Sequence, residues 1–160
     1  MREALFSILA ARGALDEPCR VLDLWAGTGA LALEALSRCA RHATLVEQDR
    51  AALATIAANV QALDVRDRTT VLGCAVAKAA PRLLGGEPFD LVLADPPYAQ
   101  VPTGECGRAL AALVPAFSPH ATVVVEHSSD DAPPEVPGLS LASTRRYGDT
   151  AVSLYEPSPG

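Results

Sequence analysis

The sequence predicts an α/β protein with a doubly wound, mostly parallel sheet of seven strands that ends in an antiparallel β-hairpin. Two observations lead to this fold class. Five short apolar runs alternate with segments of helical periodicity, which is the pattern of parallel βαβ units. After His127 this alternation gives way to a proline-rich loop and two strand-like runs, which are separated by the hairpin turn signal Gly148-Asp149.

The first half of the chain begins with a helix and then alternates strand and helix. REALFSILAAR has apolar residues at helical spacing, and RVLDLW (20–25) predicts the first strand. The loop AGTG leads into an Ala/Leu-rich helix that we expect to end near Cys39. ATLVEQD (43–49) predicts the second strand, and Asp49 is the expected N-cap of the helix that follows.

The second half continues the pattern up to the hairpin. TTVLG predicts the third strand, and AVAKAAPRLL predicts a weaker helix that Pro81 interrupts. FDLVLA (89–94) predicts the fourth strand, and we expect a helix from Gly104 to about Phe117. ATVVVEH predicts the fifth strand, and LSLASTRRY and TAVSLYE predict the two strands of the hairpin.

Length, composition and charge limit the class of protein. The 160 residues favour one domain over 1–160, with 49% hydrophobic and 20% charged residues. The sequence has no apolar stretch that predicts a membrane span and no secretory signal core, so we expect a cytoplasmic protein without membrane partners. The net charge of −6 argues against non-specific coating of nucleic acid, which requires neutralised phosphates.

Metal ligation is not predicted. The four cysteines are irregularly spaced, form no C-x-x-C pair, and are expected to be small buried side chains: Cys19, Cys39, Cys74 and Cys106. The three histidines have no zinc-ligand spacing with each other or with a cysteine: His42, His120 and His127.

A glycine-rich loop follows the first strand. LDLWAGTGALALEAL places Gly27 and Gly29 in a G-x-G-x-x-A frame that opens a helix, and Glu47 comes about twenty residues later. Glycines let the backbone approach a ligand, and a helix N-terminus offers free N–H groups. The pattern by itself fits enzymes that bind dinucleotides as well as enzymes that bind S-adenosylmethionine.

The carboxylate of Asp23 helps to choose between these ligands. Asp23 lies in the first strand just before the loop, where it can face a cationic ligand directly or through water, or can instead cap nearby amides. S-adenosylmethionine carries an ammonium and a sulfonium, whereas the pyrophosphate of a dinucleotide would be repelled. Glu47 is predicted to bind ribose hydroxyls, and the alternative is a solvated strand end.

The stretch FDLVLADPPYAQ ends the fourth strand with an acid, two prolines and an aromatic residue. Each proline fixes its own φ, lacks a backbone donor, and favours extended geometry in the residue before it. The loop is therefore stiff, and its carbonyls are not taken up by a helix. A hydride-transfer enzyme has no use for such an element, so this stretch also favours S-adenosylmethionine.

Taken together, these motifs resemble a known family. The order D-x-x-x-G-x-G, an acid after the second strand, and D-P-P-Y resembles methyltransferases that act on exocyclic or amide nitrogen. With REALFSIL, DLWAGTGALALEALSR, LVEQD, LADPPY and RRYGDTAVSLY, nearly the whole chain resembles the bacterial small-subunit ribosomal RNA guanine-N2 methyltransferase family, the RsmD type.

This resemblance implies a fold, a reaction and partners. The fold is the Rossmann-like class I methyltransferase fold, and the cofactor is S-adenosyl-L-methionine. The substrate is the exocyclic N2 of a guanine in 16S ribosomal RNA, either free or in the small ribosomal subunit or an assembly particle. We expect the protein to act as a monomer and without a metal.

The resemblance also implies the residues of the site. The expected cofactor-binding residues are Asp23, Ala26, Gly27, Thr28, Gly29, Glu47, Gln48, Ala75, Val76 and Asp95. The expected catalytic residues are Asp95, Pro96, Pro97 and Tyr98. The expected RNA-binding residues are Arg2, Arg145, Arg146 and Tyr147.

The sequence departs from the family at two places. The family often has an acid or amide after the third strand that binds the adenine amino group, whereas this chain has Cys74-Ala75-Val76. The family also carries a basic arm ahead of the segment matching REALF, and we expect that arm to be absent here.

Two alternative functions remain open. The first is a protein-glutamine N5-methyltransferase of release factors, a family that more typically has Asn in place of Asp95 and a helical domain ahead of the fold. The second is a non-catalytic, methyltransferase-like module that binds RNA or the cofactor.

Overall fold

The computed structural model describes residues 2–159, and Met1 and Gly160 lie outside the described residues. The helices are α1 (Arg2–Ala11), α2 (Ala30–Arg38), α3 (Arg50–Ala62), α4 (Ala80–Leu83) and α5 (Glu105–Leu113). The strands are β1 (Cys19–Leu24), β2 (Ala40–Val46), β3 (Thr69–Leu72), β4 (Phe89–Ala94), β5 (Phe117–Ser128), β6 (Leu139–Tyr147) and β7 (Thr150–Pro157).

All seven strands lie in one sheet, in the order β3-β2-β1-β4-β5-β7-β6. The first five strands pair in parallel, and β7 inserts antiparallel between β5 and β6. The predicted fold class, a mostly parallel sheet that ends in an antiparallel hairpin, is therefore confirmed. The strand order reverses between β1 and β4, and in such sheets ligands bind at that switch point, beyond the carboxyl ends of the strands.

The register brings the ends of the central strands to one level. Leu24, the last residue of β1, pairs with both Val46 at the end of β2 and Ala94 at the end of β4. Ala94 in turn pairs with Val125 of β5. The residue after each of these positions therefore leaves the sheet at the same edge.

Helices cover both faces of the sheet, so the central strands are buried on both sides. In β4 the side chains of Leu91 and Leu93 pack toward α1, α2 and α3, and those of Val92 and Ala94 pack toward α4 and α5. Alternate residues of a strand point to opposite faces, which explains why β4 is almost wholly apolar. Each fully buried Leu or Val side chain contributes about 1.5–3 kcal/mol of hydrophobic stabilisation.

Several elements differ from their predicted form, and among them β2 spans Ala40–Val46 and β5 already begins at Phe117. The first strand ends at Leu24 rather than Trp25, because Trp25 has a φ of 55°. Helix α5 ends at Leu113, and a 3-10 turn containing Pro115 follows, rather than continuing to Phe117. Pro81 lies in the first turn of the short helix α4 and does not interrupt it, since the first turn needs no N–H donor from that position.

The hairpin is joined to β5 by a chain of polar side chains, of which those on β5 and β7 are buried. His127 is completely buried, and its Nε2 lies 2.7 Å from the hydroxyl of Ser153 on β7. The same hydroxyl lies 2.9 Å from that of Thr144 on β6. Because buried polar groups are costly unless they are hydrogen-bonded, this chain fixes the hairpin against the parallel part of the sheet.

Candidate active site

A cleft of about 900 Å³ lies at the carboxyl ends of β1, β2, β3 and β4. Residues from the loops that follow all four strands line it: Trp25, Gly27, Val46, Glu47, Gln48, Asp49, Arg50, Cys74, Val76, Asp95, Pro96, Pro97 and Tyr98. The cleft thus brings together one residue of the glycine loop, the acid after β2 and the whole Asp-Pro-Pro-Tyr segment.

In the glycine loop only Gly27 is among the residues that line the cleft. It has a φ of 60°, and a Cβ added there would meet nothing within 4 Å, so the backbone is open to a ligand. Gly29 has a φ of 81° and precedes α2, where a Cβ would lie 3.0 Å from Leu45. Gly29 therefore serves close packing of the loop. Ala26 and Thr28, which were also expected in the cofactor site, hold the loop: the N–H of Ala26 donates to the carbonyl of Val46, and the carbonyl of Thr28 accepts from the side-chain amide of Asn59.

Asp23 lies below the cleft and is not part of its lining. Its side chain is 1% exposed, and its Oδ2 accepts a hydrogen bond of 3.1 Å from the backbone N–H of Ala32 in α2. Burial raises the pKa of Asp23 well above the usual range for aspartate. This arrangement corresponds to the alternative noted for Asp23, an acid that caps nearby amides.

Glu47 stands at the centre of one wall and is held by three backbone amides. Its Oε1 accepts from the N–H of Gly27 at 2.8 Å, and its Oε2 accepts from those of Gln48 at 3.0 Å and Asp49 at 2.8 Å. A carboxylate has about four acceptor positions, so some remain open toward the cleft. Asp49 caps α3 as predicted, because its Oδ2 accepts from Ala52 N–H at 2.9 Å.

After β3 the cleft is lined by Cys74 and Val76, and Ala75 between them is not among the lining residues. Val76 is buried and begins a 3-10 turn that ends at Lys78. The wall at this point is therefore apolar, as suits a flat aromatic ring.

The Asp-Pro-Pro-Tyr segment forms the opposite wall. Asp95 continues the sheet by donating its backbone N–H to the carbonyl of Leu24 at 3.3 Å, and Pro96 is buried. Tyr98 begins a 3-10 turn and is 48% exposed. Its hydroxyl lies 3.2 Å from that of Thr150, the first residue of β7, so the hairpin contacts this loop directly.

Behind Asp95, on β5, lies an acid that the sequence analysis missed. Glu126 is half-buried and lines a small cavity together with Asp95. Asp95 is exposed as a residue, yet partial burial of its carboxyl group raises its pKa, and the neighbouring Glu126 carboxyl opposes this shift. Burial and the neighbouring Asp95 raise the pKa of Glu126 to about 7. The sequence contained a signal for this residue, because VVVE is an apolar strand segment followed by an acid, as are TLVE and LVLAD.

Trp25 is the second functional position that the sequence analysis missed. It lines the cleft with a positive φ, which is uncommon for a residue other than glycine and costs about 1–3 kcal/mol. Its side chain packs against the core on the α5 side of the sheet. Strain of this kind occurs where the surrounding structure fixes a binding loop.

The expected RNA-binding residues lie in two places. Arg145 and Arg146 are exposed on β6, and Tyr147 is half-buried and packs against the core. Arg2 is on α1, where its Nε lies 3.4 Å from Glu34. The structure therefore does not join these four residues into one cluster with the cleft, although Thr150 connects the hairpin to Tyr98.

Residues 2–159 contain neither a candidate metal site nor a candidate membrane-spanning helix. No group of histidine, cysteine, aspartate and glutamate side chains in this range could hold a metal ion. No helix in the same range is long and apolar enough to span a bilayer.

Comparison with known proteins identifies several similar chains. The family model "Conserved hypothetical protein 95" matches residues 1–156. "Ribosomal RNA small subunit methyltransferase D" of Escherichia coli is 34% identical over 159 residues, which cover 98% of this chain and 76% of that protein. A solved structure described as a "conserved hypothetical protein" from Streptococcus pyogenes is 34% identical, with a TM-score of 0.82, and the match covers 95% of this chain and 94% of that chain.

More distant structures share the fold alone. A magnesium protoporphyrin IX methyltransferase (ChlM) from Synechocystis PCC 6803, solved with bound SAM, is 16% identical with a TM-score of 0.73. The match covers 98% of this chain and 78% of that one.

Proposed function

The chain belongs to the RsmD-type family, and from that premise we propose that it transfers a methyl group from S-adenosylmethionine to ribosomal RNA. The observation that carries the proposal is the position of Asp95 to Tyr98, which line the same cleft as Gly27 and Glu47. A cofactor between the two walls would lie beside the acceptor groups of the Asp-Pro-Pro-Tyr loop. We also propose that residues 1–160 act as one domain.

The residues of the cleft fit S-adenosylmethionine. Glu47 has acceptor positions left for ribose hydroxyls, Cys74 and Val76 offer an apolar surface to the adenine, and the backbone at Gly27 is open to the rest of the molecule. Gln48 extends the same wall. The bound cofactor would supply an electrophilic methyl group, and the carboxylates around the cleft suit its positive charges.

The Asp-Pro-Pro-Tyr loop would then position the nucleophile. The lone pair of an exocyclic amine is delocalised into the ring, so the nitrogen must be held in a suitable orientation. The carboxylate of Asp95 and the carbonyl of Pro96 can each accept one N–H bond, and they stabilise positive charge as it develops on the nitrogen. The ring of Tyr98 is exposed enough for an extruded base to stack on it.

The target we propose is the N2 of a guanine in 16S ribosomal RNA, in the free RNA or in a small ribosomal subunit or assembly particle. The guanine 2-amino group offers the two N–H donors that Asp95 and Pro96 require. RNA recognition of this kind uses unstacked bases and backbone shape. Arg145 and Arg146, which are both exposed on the edge strand β6, would contact phosphates. We propose that the protein acts as a monomer.

Methyl transfer to purified substrates tests this function. Small ribosomal subunits and protein-free 16S RNA, both lacking the modification, would be incubated with the protein and labelled S-adenosylmethionine. We expect mass spectrometry to identify N2-methylguanosine, and titration calorimetry to show one cofactor site with no heat from NAD. Absence of transfer to either form of RNA would contradict the proposal, and methylation of a release-factor glutamine would support the glutamine alternative.

A further inference from the structure

We propose that Glu126 is a positioning residue for Asp95: its carboxyl group donates a hydrogen bond to the Asp95 carboxylate and holds that carboxylate toward the amino group of the target base. The inference rests on the function proposed above. It adds a residue that lies outside the Asp-Pro-Pro-Tyr motif and on a different strand.

The sheet register places the two acids together. Ala94 of β4 pairs in parallel with Val125 of β5, so the next residues, Asp95 and Glu126, leave adjacent strands at the same level. Side chains at paired positions of neighbouring strands point to the same face of the sheet. The two carboxyl groups are therefore brought to the same face at the same level of the sheet, where both line one cavity.

A second cavity, of about 250 Å³, surrounds this pair. It is lined by residues of α1, α2, β4, β5 and β7: Arg2, Leu5, Ala30, Leu31, Leu93, Ala94, Asp95, Val124, Glu126 and Val152. Asp95 belongs to the lining of both this cavity and the large cleft. Its carboxylate thus has Glu126 on one side and the proposed methyl-transfer site on the other.

Two carboxyl groups that bond to each other share a proton, because two ionised carboxylates side by side would repel each other strongly. Burial and the adjacent Asp95 raise the pKa of Glu126 to about 7, so Glu126 carries the proton below about pH 7. Among residues 2–159, Arg2 of α1 is the other charged residue that lines the cavity, and it is ion-paired with Glu34 of α2. The lining residues from α2, β5 and β7 are otherwise apolar.

A proton on Glu126, and not on Asp95, suits the proposed reaction. Asp95 has to stay ionised, because its carboxylate stabilises the positive charge that develops on the acceptor nitrogen. A protonated Glu126 holds the Asp95 carboxylate in a fixed orientation. Because it is uncharged, it does not itself attract the positive charge on the nitrogen. As the pH rises through about 7, Glu126 ionises, the hydrogen bond is lost, and the two carboxylates repel each other.

The pH dependence of single-turnover methyl transfer tests this role. For the wild-type chain we expect the rate to fall by roughly tenfold between about pH 6 and about pH 8.5 as the donor is lost. Glu126→Gln keeps an N–H donor that does not titrate, so its rate should stay flat over this range. Glu126→Ala has no donor, and its rate should be about tenfold lower at the acidic end. Glu17→Gln, at an exposed position remote from both cavities, should follow the wild type.

The outcomes separate the inference from the function on which it rests. If the wild type transfers the methyl group and Glu126→Gln has the same pH profile as the wild type, the inference is overturned and the function stays intact. A rate that rises through pH 7 in a Glu126-dependent way would also overturn it, since Glu126 would then act as a proton acceptor. No wild-type transfer at any pH contradicts the function, and the inference falls with it. Calorimetry should show unchanged cofactor affinity, and if Glu126→Ala fails to fold, Glu126→Gln alone decides.

Discussion

Glu47 and Asp95 follow the two strands that flank β1, and both line the same cleft, yet their carboxylates have different partners. Glu47 accepts three backbone N–H bonds, from Gly27, Gln48 and Asp49. Asp95 instead shares a small cavity with the side chain of another acid, Glu126. One carboxylate is fixed by the main chain, and the other lies beside a group that can gain or lose a proton.

This difference indicates that the two walls of the cleft have different functions. A carboxylate that accepts several backbone bonds is held rigidly, and its remaining acceptor position suits the binding of a ligand. A carboxylate with free acceptor positions is available to a charge that appears only during the reaction. We therefore expect Glu47 to act mainly on affinity and Asp95 mainly on rate.

The largest expected effect concerns Asp95. Asp95→Ala should reduce single-turnover methyl transfer by roughly 100–1000-fold, the usual loss for one preorganised electrostatic contact. Cofactor affinity, measured by calorimetry on the same protein, should change far less. Glu17→Ala provides a matched surface control. An Asp95→Ala protein with near-normal turnover would remove the distinction between the two carboxylates.

The second-largest expected effect concerns Glu47, on the opposite wall of the cleft. Glu47→Ala should weaken binding of S-adenosylmethionine by about 1–3 kcal/mol, because it removes the proposed ribose acceptor and leaves the N–H groups of Gly27, Gln48 and Asp49 unpaired. The single-turnover rate at saturating cofactor should change much less than in Asp95→Ala. If calorimetry finds unaltered affinity while the rate collapses, Glu47 belongs with Asp95 and the division is wrong.

The smallest effects concern Tyr98, which follows Asp95 on the same loop. Tyr98→Ala should weaken RNA binding by about 1–3 kcal/mol through lost stacking. Tyr98→Phe keeps the ring and loses only the contact with Thr150, so it should retain most activity and lose at most about 0.5–1.5 kcal/mol. Thr150→Val removes the same contact from the other side and should match it. A Tyr98→Phe protein as poor as Tyr98→Ala would show that the hydroxyl, not the ring, is the important part.

Much of this site could be predicted from the sequence because its acids follow apolar strands. In parallel βαβ units the carboxyl ends of the strands share one edge, so Glu47 and Asp95 had to be near each other once the strands were identified. The Gly27 backbone and the N-cap at Asp49 follow from local preferences of their residue types. None of these positions depends on the details of strand register.

The remaining features depend on tertiary structure. Glu126 meets Asp95 only because β5 lies next to β4 with Ala94 opposite Val125, and sequence order alone does not give that register. Asp23 was expected to face the ligand, but its orientation in β1 directs it to the amide of Ala32. Whether Cys74, Ala75 or Val76 faces the cleft is set by the local backbone after β3, which the sequence pattern does not specify.

The position of β6 at the edge of the sheet has a consequence for how its arginines are studied. Its outer side is not paired with another strand of the sheet, and Leu141 on it is 51% exposed. Such edges favour aggregation between molecules, and charged side chains oppose it. Replacing Arg145 and Arg146 to probe phosphate contacts would also remove this protection, so a loss of RNA binding in those variants has to be distinguished from self-association by measuring the mass of the particles in solution.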